Sequence, residues 1–170
     1  MPSPARVRIF EAPNGGISGA MLTAKQVQEL LKLRPLEVEG GYFAESYRSA
    51  LSSAIYYMLT PDTFSAMHRL TGDEVYHFYL GDPVEMLMLK PDGTAEALLL
   101  GQNLDGGMRV QQTVAGGTWQ GSRLAPGGKF ALMGTTMAPG FDPKEFEPGK
   151  RDALSAQYPA YAPLIAFLTR

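Results

Sequence analysis

From Gly41 onward, short apolar segments with a two-residue period alternate with turn sequences rich in glycine and proline. A two-residue period is typical of β-strands, because successive side chains of a strand point to opposite faces. Pro91-Asp92-Gly93 and Gly116-Gly117 predict tight turns, since glycine adopts the positive φ that such turns require. We expect strands at residues 42–48, 53–60, 73–80, 84–90, 95–100, 109–114, 118–123 and 129–136. Short strands joined by so many turns predict an all-β barrel or jelly roll.

A helical pattern precedes this β-rich region. Thr23 and Gln26 have the spacing of a capping box, in which each side chain satisfies a backbone N–H near the other. Val27 and Leu31 then fall on one face of the helix. We therefore expect an N-terminal helix that ends before Pro35, because proline cannot continue a helix.

The two ends of the chain differ in pattern. Residues 152–158 and 163–168 predict short C-terminal helices that pack on the outside of the sheets. Residues 1–21 contain several prolines and glycines and predict an irregular N-terminal arm, in which Arg6–Phe10 could form a strand. Residues 22–170 are expected to form a single domain.

Composition excludes several classes of protein. The chain has no cysteine, which excludes disulfides, thiolate metal sites and cysteine nucleophiles. Its net charge of -2 comes without a long run of either sign, so neither a nucleic acid nor a membrane surface is an expected partner. No segment reaches the roughly 18 apolar residues of a membrane span, and the N-terminal residues lack the apolar core of a secretion signal. These features favour a soluble, cytoplasmic protein.

Both histidines, His68 and His77, lie close together in the chain, on either side of Glu74. In a regular strand Glu74 and Tyr76 share one face and His77 lies on the other. A carboxylate among aromatic side chains on an inward face is costly unless it is paired. We therefore expect a polar partner for Glu74, and His68 is the natural candidate. A structural hydrogen bond without catalytic role is the alternative interpretation.

Two segments resemble the conserved motifs of cupins. Glu74, followed by six residues and Gly81, resembles the end of the first motif, with His68 at its first histidine position and Leu70 at the second. The segment from Ala115 to Gln120 resembles the second motif, with Gln120 at the histidine position. Cupin catalytic centres typically hold a metal with three histidines and one glutamate, so the resemblance implies an incomplete set here.

A longer series of motifs, spread over Leu22–Arg170, resembles the Cupin_5 family of RmlC-like cupins. The matching stretches are Glu39-Gly40-Gly41-Tyr42-Phe43, Glu45, Tyr47-Arg48-Ser49, Thr60-Pro61, Phe64-Ser65, His68-Arg69, Asp73-Glu74, His77-Phe78-Tyr79, Gly81-Asp82-Pro83, Trp119-Gln120 and Ala138-Pro139-Gly140-Phe141. The resemblance implies a cupin double-stranded β-helix, that is a jelly-roll barrel, and a homodimer. It implies no established reaction.

The resemblance leaves three functions open. The first is a metal-independent isomerase or epimerase acting on a polar, sugar- or nucleotide-like metabolite, with His68 as base and Glu74 orienting it. RmlC, an epimerase of this fold, uses a tyrosine to return the proton, and Tyr42, Tyr47, Tyr56, Tyr76 and Tyr79 are candidates here. Arginine suits anionic groups and tryptophan stacks on rings. The expected substrate-binding residues are Gln120, Arg69, Arg48, Tyr47, Tyr76 and Trp119.

The second function is non-catalytic binding of a small metabolite. The third is a metal-assisted enzyme in which His68, Glu74 and Gln120 hold a divalent cation. An amide oxygen is a weak ligand and transition metals prefer imidazole, so we expect at most a weakly bound divalent metal and no other cofactor. Glu45 and Arg48 lie three apart, so a regular strand would direct at most one of them into the pocket.

Overall fold

The computed structural model describes residues 22–170, which form an all-β jelly roll of two antiparallel sheets with a few short helices. The strands are β1 (Arg34–Pro35), β2 (Tyr42–Arg48), β3 (Ser53–Leu59), β4 (Phe64–Arg69), β5 (Glu74–Gly81), β6 (Val84–Leu89), β7 (Ala95–Leu100), β8 (Gln111–Val114), β9 (Trp119–Leu124), β10 (Ala131–Met137) and β11 (Glu147–Pro148). The helices are α1 (Ala24–Leu31), α2 (Arg151–Gln157) and α3 (Ala162–Phe167), with single 3-10 turns at Pro143–Glu145 and Pro159–Tyr161. The predicted fold class is confirmed.

The strands divide between the sheets in a pattern that brings distant segments together. The six-stranded sheet has the order β1-β2-β3-β10-β5-β8, and the five-stranded sheet has the order β11-β4-β9-β6-β7. Consecutive strands β4, β5 and β6 alternate between the two sheets. As a result, β4 pairs with β9 and β5 pairs with β10, although the paired residues are fifty or more positions apart in the chain.

The main core lies between the sheets and is built from alternate residues of both. On β6, Met86 and Met88 point into this core, whereas Leu87 and Leu89 point to the outer face. Burial on both faces explains why β6 is apolar almost throughout. The inner cluster consists of Tyr57, Leu59, Tyr76, Phe78, Val84, Met86, Met88, Leu100, Val114, Leu124, Ala131 and Met133.

Helices cover the outer face of each sheet. Helix α1 packs Val27 against Met58 and Leu132 of the six-stranded sheet, and its predicted capping box between Thr23 and Gln26 is present. Helices α2 and α3, predicted within one residue of their bounds, cover the five-stranded sheet. Their buried side chains are Leu154, Tyr158, Ile165 and Leu168. Within the described range, no helix is long and apolar enough to cross a membrane.

The sequence predicts no strand at the two-residue β1 and β11 or at the longer β4, and one predicted strand begins later than expected. We predicted no strand at β4, because four consecutive residues, Ser65–His68, are buried and the two-residue alternation is hidden. The strand predicted at 109–114 begins only at Gln111, since Arg109 makes a single parallel bridge to Leu100. The predicted N-terminal arm and the strand at Arg6–Phe10 lie outside the described residues.

Candidate functional site

A cavity of about 110 Å³ lies where β4 of one sheet faces the strands of the other. Most of its wall is apolar and includes three phenylalanines from separate parts of the chain. Its polar residues are Glu39, Glu45, Arg48, Ser53, His68, Glu74 and Thr135. Its apolar residues are Leu36, Val38, Phe43, Ala54, Ile55, Leu70, Met137, Phe141 and Phe146. The cavity therefore joins a few ionisable groups to an otherwise hydrophobic chamber.

His68 is held rigidly in the wall of the cavity. It lies on β4, is only 1% exposed, and its Nδ1 lies 2.7 Å from the carbonyl oxygen of Ala66. Because a carbonyl only accepts hydrogen bonds, Nδ1 donates this bond, and Nε2 is the ring nitrogen that remains for a ligand. The ring stacks on Phe146 at a centroid distance of 5.0 Å. The backbone, rather than Glu74, therefore orients this imidazole.

Glu74 is the second ionisable group in the cavity and begins β5. It is buried, and its Oε2 accepts a hydrogen bond of 2.8 Å from Nε2 of Gln120. Burial raises the pKa of Glu74, and the negative charge of Glu39 raises it further, while His68, Thr135 and Gln120 oppose these effects. The protonated form of the acid is thus favoured to a higher pH than in an exposed glutamate.

The three residues singled out in the sequence come together, but in different roles. In the pairing of β4 with β9, His68 is directly opposite Gln120. His68 and Glu74 line the cavity, whereas Gln120 is not part of its wall and holds Glu74 through the amide. His77 lies on the other face of β5, as predicted, near Thr136 and Gln111.

Glu39 is a site residue that sequence reasoning missed. It lies in the turn between β1 and β2, where its Oε1 accepts a hydrogen bond of 2.6 Å from Ser65 and its carbonyl accepts one of 2.9 Å from the Ala66 N–H. These bonds attach the turn to β4, next to His68. The only sequence signal for Glu39 was its position directly before the pair Gly40-Gly41, because two glycines mark a tight turn.

Glu45 and Arg48 both line the cavity, so the prediction that at most one would enter was wrong. The register of β2 against β3 shifts between Glu45 and Tyr47, which is a β-bulge. A bulge inserts one extra residue and turns the following side chains to the opposite face. Arg48 can therefore reach Glu45, with Nε 2.6 Å from Oε2, and its Nη1 also donates to the carbonyl of Phe141.

Four other expected substrate-binding residues are not in the cavity wall. Arg69 donates two hydrogen bonds to Glu147, at 2.7 and 3.1 Å, and its guanidinium lies over the ring of Trp119. Tyr47 is 55% exposed, and Tyr76 is buried in the core beneath Glu74. No tyrosine lines the cavity within residues 22–170, so the proton-returning tyrosine of RmlC has no counterpart among them.

The donor atoms at the site do not fit a typical cupin metal centre. Among the described residues, no three His, Cys, Asp or Glu side chains are placed to hold a metal ion. Oε1 of Gln120 is buried without a hydrogen-bond partner, but an amide oxygen is a weak ligand and Leu70 offers none. Two good ligands, His68 and Glu74, are fewer than the three or four that such sites use.

A two-sheet jelly roll with a histidine and a glutamate inside it is the arrangement of a cupin. Oxalate decarboxylase from Bacillus subtilis shares this fold, with a TM-score of 0.53, 13% identity, and coverage of 76% of this chain and 35% of that one. At that identity the likeness shows the fold alone. The chain belongs to the Cupin_5 family, described as Cupin superfamily (DUF985), which it matches over residues 25–148.

Relatives with higher identity cover most of the chain. Protein SO0799 from Shewanella oneidensis is 35% identical, with a TM-score of 0.81 over 88% of this chain and 99% of that one. A hypothetical protein from Leishmania major is 28% identical, with a TM-score of 0.80 over 87% and 99% of the two chains. Uncharacterized protein YML079W from Saccharomyces cerevisiae is 27% identical over 76% of this chain and 78% of the yeast protein.

The buried carboxyl of Glu74 makes stability depend on pH. Since the pKa of Glu74 is raised in the folded state, the folded protein retains a proton that the unfolded chain releases above the ordinary value of 4.5. Stability is therefore lost as the pH rises through the folded-state pKa. Glu74→Gln keeps an acceptor for Gln120. At neutral pH we expect its free energy of unfolding, measured in urea, to be about 1 kcal/mol higher than that of wild type.

Urea unfolding of both proteins at a series of pH values tests this explanation. The advantage of Glu74→Gln should shrink as the pH falls below the ordinary pKa, because the wild-type carboxyl is then protonated in both states. Glu85→Gln removes a carboxylate that pairs with Arg123 outside the cavity and should bring no such gain. A Glu74→Gln protein that is less stable than wild type at every pH would contradict the explanation.

Proposed function

We propose that the cavity binds a small metabolite and that His68 and Glu74 catalyse proton transfer on it, as in a metal-independent isomerase or epimerase. One observation carries this proposal. A buried imidazole has its Nδ1 bound to the carbonyl of Ala66, and its Nε2 has no hydrogen-bond partner among residues 22–170, in the wall that it shares with Glu74. An oriented imidazole with a free lone pair is suited to act as a general base.

The two groups have complementary roles in such a reaction. Nε2 of His68 takes a proton from a carbon next to a carbonyl. The C–H electron pair forms a new C=C bond, and the π electrons of the carbonyl move to its oxygen. Glu74, whose pKa is raised by burial, donates its proton to that oxygen. Where the carbon that lost its proton bears a hydroxyl, His68 then returns the proton to the former carbonyl carbon. The hydroxyl becomes the new carbonyl and its proton passes to Glu74, which completes an isomerisation without a metal.

The size of the cavity limits the substrate. Its volume of about 110 Å³ is below the ~300–1,000 Å³ of pockets that enclose drug-sized ligands. This supports a metabolite of a few carbon atoms, or the end of a longer one. A nucleotide would have to leave most of its surface outside.

The test has two stages and separates an enzyme from a binding protein. A library of small carbonyl metabolites is first screened by thermal shift with the full-length protein. Each compound that raises the melting temperature is then incubated in D₂O, and ¹H NMR follows loss of the signal at the carbon next to the carbonyl. We expect protein-dependent exchange for at least one binding compound. Binding without exchange in every case would exclude catalysis and favour the binding function.

A further inference from the structure

The wall of the cavity carries more negative than positive charge. Apart from His68, its charged side chains are the carboxylates Glu39 and Glu45 and the guanidinium of Arg48, because Glu74 is a protonated acid in the proposed reaction. Glu45 and Arg48 are partly exposed and pair with each other, so Glu39 is the carboxylate whose charge remains unbalanced in the wall. Repulsion from Glu39 is one reason that the pKa of Glu74 is raised, and a bound cation would offset it.

The arginines near the site are already engaged. Arg48 is bound to Glu45 and to the carbonyl of Phe141. Arg69 is bound to Glu147, outside the cavity. An anionic ligand would meet the carboxylate of Glu39 without a free guanidinium in the described wall to balance its charge. This argues against the expectation that Arg48 and Arg69 hold an anionic group.

Aromatic rings line the same cavity as these carboxylates. Phe43, Phe141 and Phe146 all line the cavity. The face of an aromatic ring attracts cations, and Arg34 already lies over Phe43 at 4.9 Å from its centroid. Carboxylates set among aromatic rings are a common arrangement for binding alkylammonium groups, because the rings receive the apolar part and the acids receive the charge.

We propose that the cavity selects a small organic cation, a protonated amine on a short apolar group, over an anion of the same shape. This proposal rests on the proposed function, because the ammonium group would bind next to His68, and it names the chemical class of the substrate. Glu39 is the residue we assign to the ammonium group. Its carboxylate is fixed by Ser65, and it is separate from the His68–Glu74 pair to which the proton transfer is assigned.

The test compares three compounds with nearly the same carbon skeleton, isobutylamine, isobutanol and isobutyrate, by isothermal titration calorimetry at neutral pH. We expect isobutylamine to bind at least about tenfold more tightly than isobutyrate, which corresponds to ~1.4 kcal/mol, with the alcohol between them. Equal or tighter binding of isobutyrate, or no binding of the amine, would overturn the proposal. This comparison uses the wild-type protein and does not depend on any variant.

Two substitutions then locate the preference. Glu39→Gln keeps an acceptor for Ser65 but removes the charge, and it should reduce the preference for the amine several-fold. Glu37→Gln removes an exposed carboxylate two residues away that does not line the cavity, and it should change nothing. An unchanged preference in Glu39→Gln would refute the assignment to Glu39.

The two proposals can fail separately. If isobutyrate binds more tightly but metabolites still exchange deuterium, the ligand class is wrong and the proton transfer stands. If the amine binds preferentially but no bound metabolite exchanges, the ligand class stands and the catalysis is wrong.

Discussion

His68→Asn is expected to slow deuterium exchange into a bound metabolite by ~10²–10⁴-fold, the usual contribution of a general base. Asparagine can donate to the Ala66 carbonyl in place of Nδ1, so the conformation of β4 should be kept. It lacks the lone pair that Nε2 presents to the cavity. Because the substitution removes the base and not the cavity wall, kcat should fall while the affinity for the same metabolite changes only a few-fold.

His77→Asn is the matched control, since the chain has only these two histidines. His77 lies on the outer face of β5 and contacts Thr136 and Gln111. Its replacement should leave the exchange rate unchanged. If His68→Asn retains wild-type exchange, or if both substitutions slow the exchange equally, His68 is not the base.

The convergence of His68, Glu74 and Gln120 follows from information that the sequence contains. The two-residue period fixes which side of β5 faces inward, and an inward carboxylate requires a polar partner. Periodicity alone does not predict which distant segments come together, and that expectation came from the resemblance to the cupin motifs. The structure brings these residues together, with Gln120 opposite His68 and bound to Glu74.

The remaining features depend on irregular backbone and long-range packing. Nothing in residues 42–48 indicates the bulge that brings Glu45 and Arg48 into the cavity. Arg69 and Glu147, which form an ion pair, are 78 residues apart in the chain. They lie on β4 and β11, and no local sequence pattern connects these two strands. Glu39 enters the site through a turn fixed to β4, a strand in which the burial of four consecutive residues hides the two-residue period.

That turn is also the basis of the second large effect: Gly40→Ala is expected to lower the free energy of unfolding by at least about 3 kcal/mol. Gly40 has φ of +109°, which side chains rarely tolerate, and an added Cβ would overlap the carbonyl oxygen of Phe64. The turn cannot easily move away, because the Gly40 N–H donates to Leu36 and its carbonyl accepts from Tyr57. Urea unfolding of the purified variant measures the loss.

Gly93→Ala separates the two causes of this loss. Gly93 also has a positive φ, of +87°, but a Cβ there would meet nothing within 4 Å, so only the backbone strain of about 1–2 kcal/mol should remain. A similar loss in both variants would show that contact with Phe64 contributes nothing. If contact does contribute, relief of the overlap displaces Glu39, the neighbour of Gly40, and Gly40→Ala alone should also weaken the binding of isobutylamine. The stability of the turn and the ligand preference of the cavity are in this way predicted to depend on the same glycine.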